Sequence, residues 1–271
     1  MIVRVLGSGS KGNAVLIEAG DTRVLIDAGF TPGGMKKRLD MLEVAPSSIE
    51  AVIVTHEHAD HIKGVTGCAQ RWGWRVLATA GTRSGYDSMD HASVETIPTS
   101  RQFSIGRLDI STFDVSHDAN EPMAVVATAK DTGARAAIVY DLGVLTQALL
   151  AAIHDVDILM IEANHDMDML HNGPYPPILQ RRIAGRYGHL SNDDAATAAA
   201  ESAHKGLRHV ILAHLSQKNN TPQVATCTIE SALRRTGFSG QVTAAAQGRV
   251  TGPFVLAGVS FRVAGQLDLG L

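Results

Sequence analysis

Apolar and polar residues along this chain repeat with two periods. Ile2-Val3-Arg4-Val5-Leu6 opens as a strand, and Leu108-Asp109-Ile110-Ser111-Thr112-Phe113 alternates with the two-residue period of a half-buried strand. Ala51–Val54, Ala136–Tyr140 and His209–Ala213 are short apolar runs of strand length, the pattern of strands buried on both faces. Between them lie helix-compatible, Ala-rich stretches. One runs from Ile62 through Arg71; another follows Gly188, with Ser191 or Asn192 placed to cap it. Strands alternating with helices predict an α/β fold. No Pro/Ser-rich linker divides the chain, so residues 1–271 read as a single domain.

The most informative polar residues stand where an apolar run stops. Thr55-His56-Glu57-His58-Ala59-Asp60-His61 follows the Ala51–Val54 strand directly. His56 and His58 are two apart and point the same way in an extended segment. Asp60 and His61 come later and can face a second point, so the run suits two adjacent cations. Imidazole and carboxylate are donors for zinc, iron or manganese. The plainer reading is a solvated polar loop, but three histidines in six residues directly after a core strand argue against it. Other metal-capable residues end strand-like runs in the same way: His117 lies past Phe113, Asp141 past Tyr140, and His214 past Ala213. Taken singly, each reads as a turn residue or cap. Asp27 ends the run Leu25-Ile26, where an unpaired carboxylate is costly. It reads as a group that orients the histidine loop rather than a ligand.

Composition agrees with an enzyme domain. The chain is 45% hydrophobic with a formal net charge of −3, a balance that counts against tight non-specific nucleic-acid binding but not against a metal-dependent nuclease. Its two cysteines, Cys68 and Cys227, form no disulfide framework or zinc spacing, and Cys68 reads as a core residue. The opening strand is unlike a secretory leader, and no apolar run is long enough to span a bilayer. The expectation is a cytoplasmic protein with no membrane partner.

His-x-His-x-Asp-His at residues 56–61 is the signature of the metallo-β-lactamase superfamily, which this chain resembles from end to end. The resemblance implies a four-layer αββα sandwich. It also implies that His56, His58 and His117 hold one divalent metal, that Asp60, His61 and His214 hold the other, and that Asp141 bridges them. Zinc or manganese is the expected ion, with iron possible. Glycine-rich Gly7-Ser8-Gly9-Ser10-Lys11-Gly12-Asn13 reads by itself as a hairpin turn, and lacks the Gly-Lys-Ser/Thr ending of a P-loop. In the superfamily such a turn lies beside the metals, which makes Ser8, Ser10 and Asn13 candidate substrate contacts. Further motifs are similar to the phosphodiesterase branch that includes RNase Z, and most of all to the YycJ/WalJ family. These are His117-Asp118-Ala119, Asp141-Leu142-Gly143, Glu162-Ala163-Asn164-His165-Asp166, Arg181-Arg182-Ile183, Gly188-His189-Leu190-Ser191-Asn192 and His214-Leu215-Ser216. The matches run from about residue 6 to 222, and residues 223–271 read as scaffold. Tyr140, Pro177 and Gln180 depart from the family's usual residues, and none of them is a ligand position.

The resemblance implies a nuclease, an exonuclease on DNA, with a hydroxide shared between two metals as nucleophile. Asp60 belongs to that catalytic centre as a ligand. His189 is the candidate donor toward the phosphate or leaving oxygen, and Glu162 the group that fixes its tautomer. His189 also reads as an ordinary histidine at a helix start. If residues 178–187 are helical, Arg182 and Arg186 share a face that either contacts the substrate backbone or is merely solvated. Lys218, Asn219 and Asn220 are similarly placed. His165 reads equally as a positioning or a reacting group. His91, His154, His171, His204 and His209 have no motif support. Two alternatives use the same metals: a small-molecule phosphodiesterase, and a thioester or lactone hydrolase of the glyoxalase II or lactonase kind. A non-catalytic metal-binding module would be expected to have lost a ligand.

Overall fold

The computed structural model of the chain describes residues 1–87 and 93–256, so His91 and the end of the 223–271 scaffold segment lie outside the described residues. In chain order the strands are β1 (Ile2–Gly7), β2 (Ala14–Ala19), β3 (Thr22–Ile26), β4 (Ala51–Ile53), β5 (Arg75–Ala78), β6 (Val94–Thr96), β7 (Gln102–Ile105), β8 (Leu108–Asp114), β9 (Met123–Ala129), β10 (Arg135–Val139), β11 (Ile158–Glu162), β12 (His209–Ala213), β13 (Gln241–Ala244) and β14 (Thr251–Val255). They form two seven-stranded sheets, ordered β14-β1-β2-β3-β4-β5-β6 and β13-β12-β11-β10-β9-β8-β7. Both sheets are mixed. β3 to β6 run parallel in the first and β10 to β13 parallel in the second, with antiparallel pairs filling the rest.

The two-residue period of the strands explains the layers. In β10, Ala136 and Ile138 face the first sheet, in one buried cluster with Val15, Ile17, Ile26 and Ile53. Ala137 and Val139 face the other way, onto Leu149 and Ile153 of α5 (Gln147–Ile153), Ala195 and Ala199 of α8 (Asn192–Glu201) and Ile229 of α9 (Pro222–Leu233). The outer face of the first sheet packs on Met35 and Leu39 of α1 (Pro32–Asp40) and on Val65 and Cys68 of α3 (Val65–Trp72). Strands apolar on both faces are what a sheet covered on both sides requires. The result is the four-layer αββα sandwich.

Two helical expectations change in detail. The stretch after the histidine run is broken into α2 (Ala59–Ile62) and α3, because Gly64 docks on the chain at residues 28–30. Its N–H donates to Ala28 O at 2.8 Å, and a Cβ there would stand 1.9 Å from Phe30 O, so the turn needs glycine. The remaining short helices are α4 (Ala80–Ser84), α6 (Met167–His171) and α7 (Pro177–Ile183). Since α7 stops at Ile183, Arg182 and Arg186 do not share a helix face. His189 N–H donates to Ile183 O at 2.8 Å, so the chain folds back where the helix would have continued. Ser191 does cap α8, accepting from Asp194 N–H at 3.1 Å.

As far as residue 256 the tail completes both sheets: β14 pairs with β1 and β13 with β12. Among the described residues, no helix is long and apolar enough to cross a membrane. Cys68 is buried in α3, and burial pushes its thiol up to about 12, whereas Cys227 on α9 is exposed. A thiolate-specific reagent near pH ~8 is therefore expected to titrate one thiol per folded chain and both after denaturation. Two fast-reacting thiols in the folded protein would contradict the packing of α3.

Candidate metal centre

The carboxyl ends of the parallel strands meet at one edge between the sheets. Asp27 follows β3, Thr55–His61 follows β4, Asp141 is two residues past β10, Glu162 ends β11 and His214 follows β12. Crevices outside the carboxyl ends of parallel strands are where α/β folds bind ligands. Three of these residues leave their strands in the left-handed region, Asp27 at φ 62°, Asp141 at 54° and His214 at 51°. The left-handed turn is uncommon for a residue with a Cβ, although Asp and His adopt it more readily than most.

The imidazoles form a tight nest. His56 Nε2 lies 3.1 Å from His58 Nδ1, which lies 3.3 Å from His117 Nε2. Beside it, Asp60 Oδ2 is 3.5 Å from both His61 Nε2 and His214 Nε2. Asp141 Oδ2 is 2.8 Å from His61 Nε2. The structure thus brings together all seven expected ligands. Ligand atoms of His56, His58 and His117 lie within 4.8 Å of one another, as do those of Asp60, His61 and His214. His56, His61 and Asp141 form a third such group that links the two.

Four rings are also held through their Nδ1 atoms, and that of His214 lies 2.9 Å from Asp141 Oδ1 as well. His61 Nδ1 is 2.7 Å from Asp27 Oδ2, and His117 Nδ1 is 3.1 Å from Gly188 O. His56 Nδ1 is 3.1 Å from Thr55 Oγ1, and His214 Nδ1 is 2.9 Å from Glu162 Oε1. Such outer partners fix the tautomer and orient each ring for coordination. Buried Asp141 Oδ2 lies 2.8 Å from His61 Nε2 and buried His214 Nε2 lies 3.5 Å from Asp60 Oδ2, in neither case with hydrogen-bond geometry. Buried polar atoms left without a well-formed partner are costly, and cations held among these donors would satisfy them. The residues fit two divalent cations, one per triad with Asp141 between. Asp141, Glu162, His189 and His214 also cluster closely, but Glu162 Oε1 already meets His189 Nδ1 at 2.8 Å and His214 Nδ1 at 2.9 Å. That carboxylate is an acceptor for two rings rather than a ligand.

Charge in the nest is balanced internally. Burial alone would raise the carboxyl of Asp141, but His214 and His61 outweigh it and hold the group well below the usual carboxylate range. Burial would likewise raise Asp60, which its close contacts with His214 and His61 bring down instead. His61 and His214 are lifted by Asp141 against the effect of burial. His56 goes the other way: burial, then the neighbouring His61, depresses it and keeps the ring neutral. Ring protons and a cation compete for the same carboxylates. His189 is raised to about 9, because Glu162 and Asp141 overcome its burial, and Glu162 is lowered to about 2 chiefly by His189 against its own burial.

Other expected residues fall in different places. Ser10 lines the cleft with His58, His117, Asp141, Arg182 and His189. Ser8 and Asn13 are buried behind it. Ser8 Oγ accepts from His214 N–H at 2.8 Å, and Asn13 Nδ2 reaches Asp60 Oδ2 at 3.1 Å and His61 Nε2 at 2.9 Å. Both therefore hold expected ligands in place and lie behind the cleft rather than in its lining. Asn13 N–H also donates to Asp60 O at 2.7 Å, and a Cβ on Gly29 would stand 1.7 Å from that oxygen. Arg182 lines the cleft with its guanidinium 2.6 Å from Asp118, while Arg186 is not among the lining residues. Asn219 and Asn220 are buried framework, and His165 is buried away from the cleft lining. The residue missed in the sequence is Tyr140, whose hydroxyl donates to Asp27 Oδ2 at 2.7 Å. Its one signal was a phenol ending a buried strand directly before Asp141.

Asp141→Ala is expected to lose metal from both triads, and elemental analysis should find fewer than two equivalents per chain. Asp27→Asn, which faces a donor toward Tyr140 and His61, should weaken metal affinity by roughly 10–100-fold without unfolding the chain. Retention of two equivalents by Asp141→Ala would sink the ligand assignment.

Residues 22–215 match the family described as the beta-lactamase superfamily domain. The chain is 32% identical over 242 residues to exodeoxyribonuclease YycJ of Bacillus anthracis, covering 86% of this chain and 89% of that protein. It is 30% identical to exodeoxyribonuclease WalJ of Streptococcus pneumoniae, covering 84% and 87%. Among solved structures, the metallo-β-lactamase fold protein YhfI of Bacillus subtilis superposes with a TM-score of 0.65 at 17% identity, covering 93% of this chain and 99% of that one. The short form of human tRNase Z superposes at 0.64 and 19%, covering 94% and 100%. Those two likenesses show the fold. Sequence, architecture and the histidine nest agree: this chain belongs to the beta-lactamase superfamily domain family, alongside the YycJ/WalJ proteins.

Proposed function

We propose that this chain, as one domain over residues 1–271, is a two-metal phosphodiester hydrolase that acts in the cytoplasm as an exonuclease on DNA. The observation that carries the reading is the pairing of two donor triads across Asp141 with a third group, His189 on Glu162, at the same cleft. The identity of about 30% with two exodeoxyribonucleases over most of the chain supports nucleic acid as the substrate class.

His56, His58 and His117 would hold one cation and Asp60, His61 and His214 the other, with Asp141 between. Bound there, zinc or manganese (or iron, which the same donors allow) supplies Lewis acidity toward a phosphate oxygen and toward water. The chain supplies the rest. Glu162 takes the Nδ1 proton of His189 as a hydrogen bond, which leaves Nε2 for the cleft. From there His189 donates toward the phosphate or the leaving oxygen, where charge accumulates during phosphodiester cleavage. Arg182 stands at the cleft wall, able to leave Asp118 for a backbone phosphate. A thioester or lactone leaves no phosphate charge for His189 to meet, so that chemistry would not need the His189–Glu162 pair.

His189→Ala is expected to keep both metals yet lose roughly 10²–10⁴-fold in rate on labelled DNA. Arg182→Ala should weaken DNA binding and flatten its salt dependence, as loss of a phosphate contact does. If the wild-type protein loaded with zinc or manganese hydrolyses a thioester efficiently and no DNA or RNA, the glyoxalase-like alternative replaces this one.

A further inference from the structure

We infer that Gln247 is a positioning residue for the substrate: from outside the metal centre, it fixes the glycine-rich loop so that Ser10 forms a preset wall of the cleft. The inference rests on the nuclease reading above and adds to that site a residue from the 223–271 segment. Ser10 lines the cleft with His58, Asp141 and His189. It sits with Lys11 at the exposed tip of the loop, flanked by Gly9 and Gly12. Glycine on both sides gives the backbone more freedom than any other flank. A substrate that met a loose tip would have to order it first, at a cost to affinity.

Gln247 removes that freedom. It lies in the turn between β13 and β14. With its amide oxygen turned to the loop, it accepts from Ser10 N–H at 2.7 Å and from Lys11 N–H at 3.0 Å, and its amide nitrogen meets the amide of Gln217. Gly9 lies flush against the side chain: it has φ 134°, and a Cβ there would stand 2.5 Å from the Gln247 amide. Glycine is therefore needed at this position for conformation and for space.

The support behind Gln247 is built from backbone. Ala245 N–H donates to Leu212 O at 2.8 Å, Ala246 N–H to Thr251 Oγ1 at 3.2 Å, and Ser8 N–H to Ala246 O at 3.3 Å. The turn is thus bound to β12, to β14 and to the start of the loop. Gln217 stands three residues past His214, so its contact with Gln247 joins the loop tip to the turn that carries an expected ligand. The base of the loop is anchored separately, by Ser8 to His214 and by Asn13 to Asp60. The two roles are therefore separable: the base holds ligands, and the tip, held by Gln247, meets substrate.

The test compares full-length, metal-loaded wild type, Q247M and Q247E. Exchange of the Ser10 and Lys11 amide protons is followed by NMR, alongside metal content and KM and kcat on labelled DNA. Q247M keeps the bulk of the side chain and loses the acceptor. It should retain wild-type metal content and kcat, exchange both protons faster, and raise KM roughly 3- to 30-fold, the net effect of one or two neutral hydrogen bonds. Q247E, whose carboxylate still accepts from both N–H groups, should keep the exchange slow and a KM closer to wild type. In an S10A background, Q247M should raise KM little further, because the loss is already taken through Ser10. Unchanged exchange in Q247M, an equal loss in Q247E and Q247M, or a fall in kcat or metal content with KM unchanged, overturns the inference and leaves the nuclease reading standing. Tighter DNA binding by Q247M would mean that Gln247 withholds the two N–H groups from phosphate, and overturns it too. Wild type that neither binds nor cleaves DNA or RNA overturns the nuclease reading and the substrate role of Gln247 together.

Discussion

Asp27 is fully buried, and donors from separate parts of the chain converge on its carboxylate. Thr55 gives both its N–H at 2.8 Å and its hydroxyl at 2.7 Å, Tyr140 reaches across from the second sheet, and His61 Nδ1 completes the set. A buried carboxylate short of donors is expensive, and the penalty grows where the surroundings are apolar. Thr55 begins the histidine run, Tyr140 precedes Asp141, and His61 belongs to one of the two triads that could hold a cation. The network that satisfies Asp27 therefore fixes the spacing between the sheets and the placement of the ligands at once. Displacing either sheet would orphan polar groups of the other.

The left-handed residues at the strand ends work alongside that network. Asp27, Asp141 and His214 each turn the chain sharply where a parallel strand stops, at a backbone cost on the order of 1 kcal/mol apiece. Sheet hydrogen bonds behind the turn and side-chain contacts ahead of it hold each one there. The strain is thus concentrated where polar side chains from both sheets are aimed at one edge. Polar groups on strand ends gain the rigidity of the sheets, while Ser10 and Tyr187, on turns, line the same cleft.

What could be read from sequence follows from how local each signal is. Strand runs such as Ala51–Val54 and His209–Ala213 carry their assignment in a few consecutive residues, and the 55–61 run packs His56, His58, Asp60 and His61, more than half of the expected donors, into one loop. His117, Asp141 and His214 were legible only through resemblance, since a lone His or Asp after a strand is ordinary. Side-chain direction was not legible. Ser8 and Asn13 sit in a glycine-rich turn where either face is possible, and only the return of β12 and of the histidine loop turns them inward. Tyr140 meets Asp27 across 113 residues, a pairing no local pattern announces. The end of α7 at Ile183 depends on His189 folding back onto that residue, so the arginine stripe expected over residues 178–187 does not form.

The proposed chemistry needs two cations that share Asp141. Anomalous diffraction from crystals of the metal-loaded protein, collected at the zinc or manganese edge, locates them directly. The expected result is two peaks about 3.5–4 Å apart. One should lie among His56, His58 and His117, the other among Asp60, His61 and His214, with Asp141 reaching both. A single peak, or a peak coordinated by Glu162 and His189, would contradict the arrangement and the chemistry drawn from it.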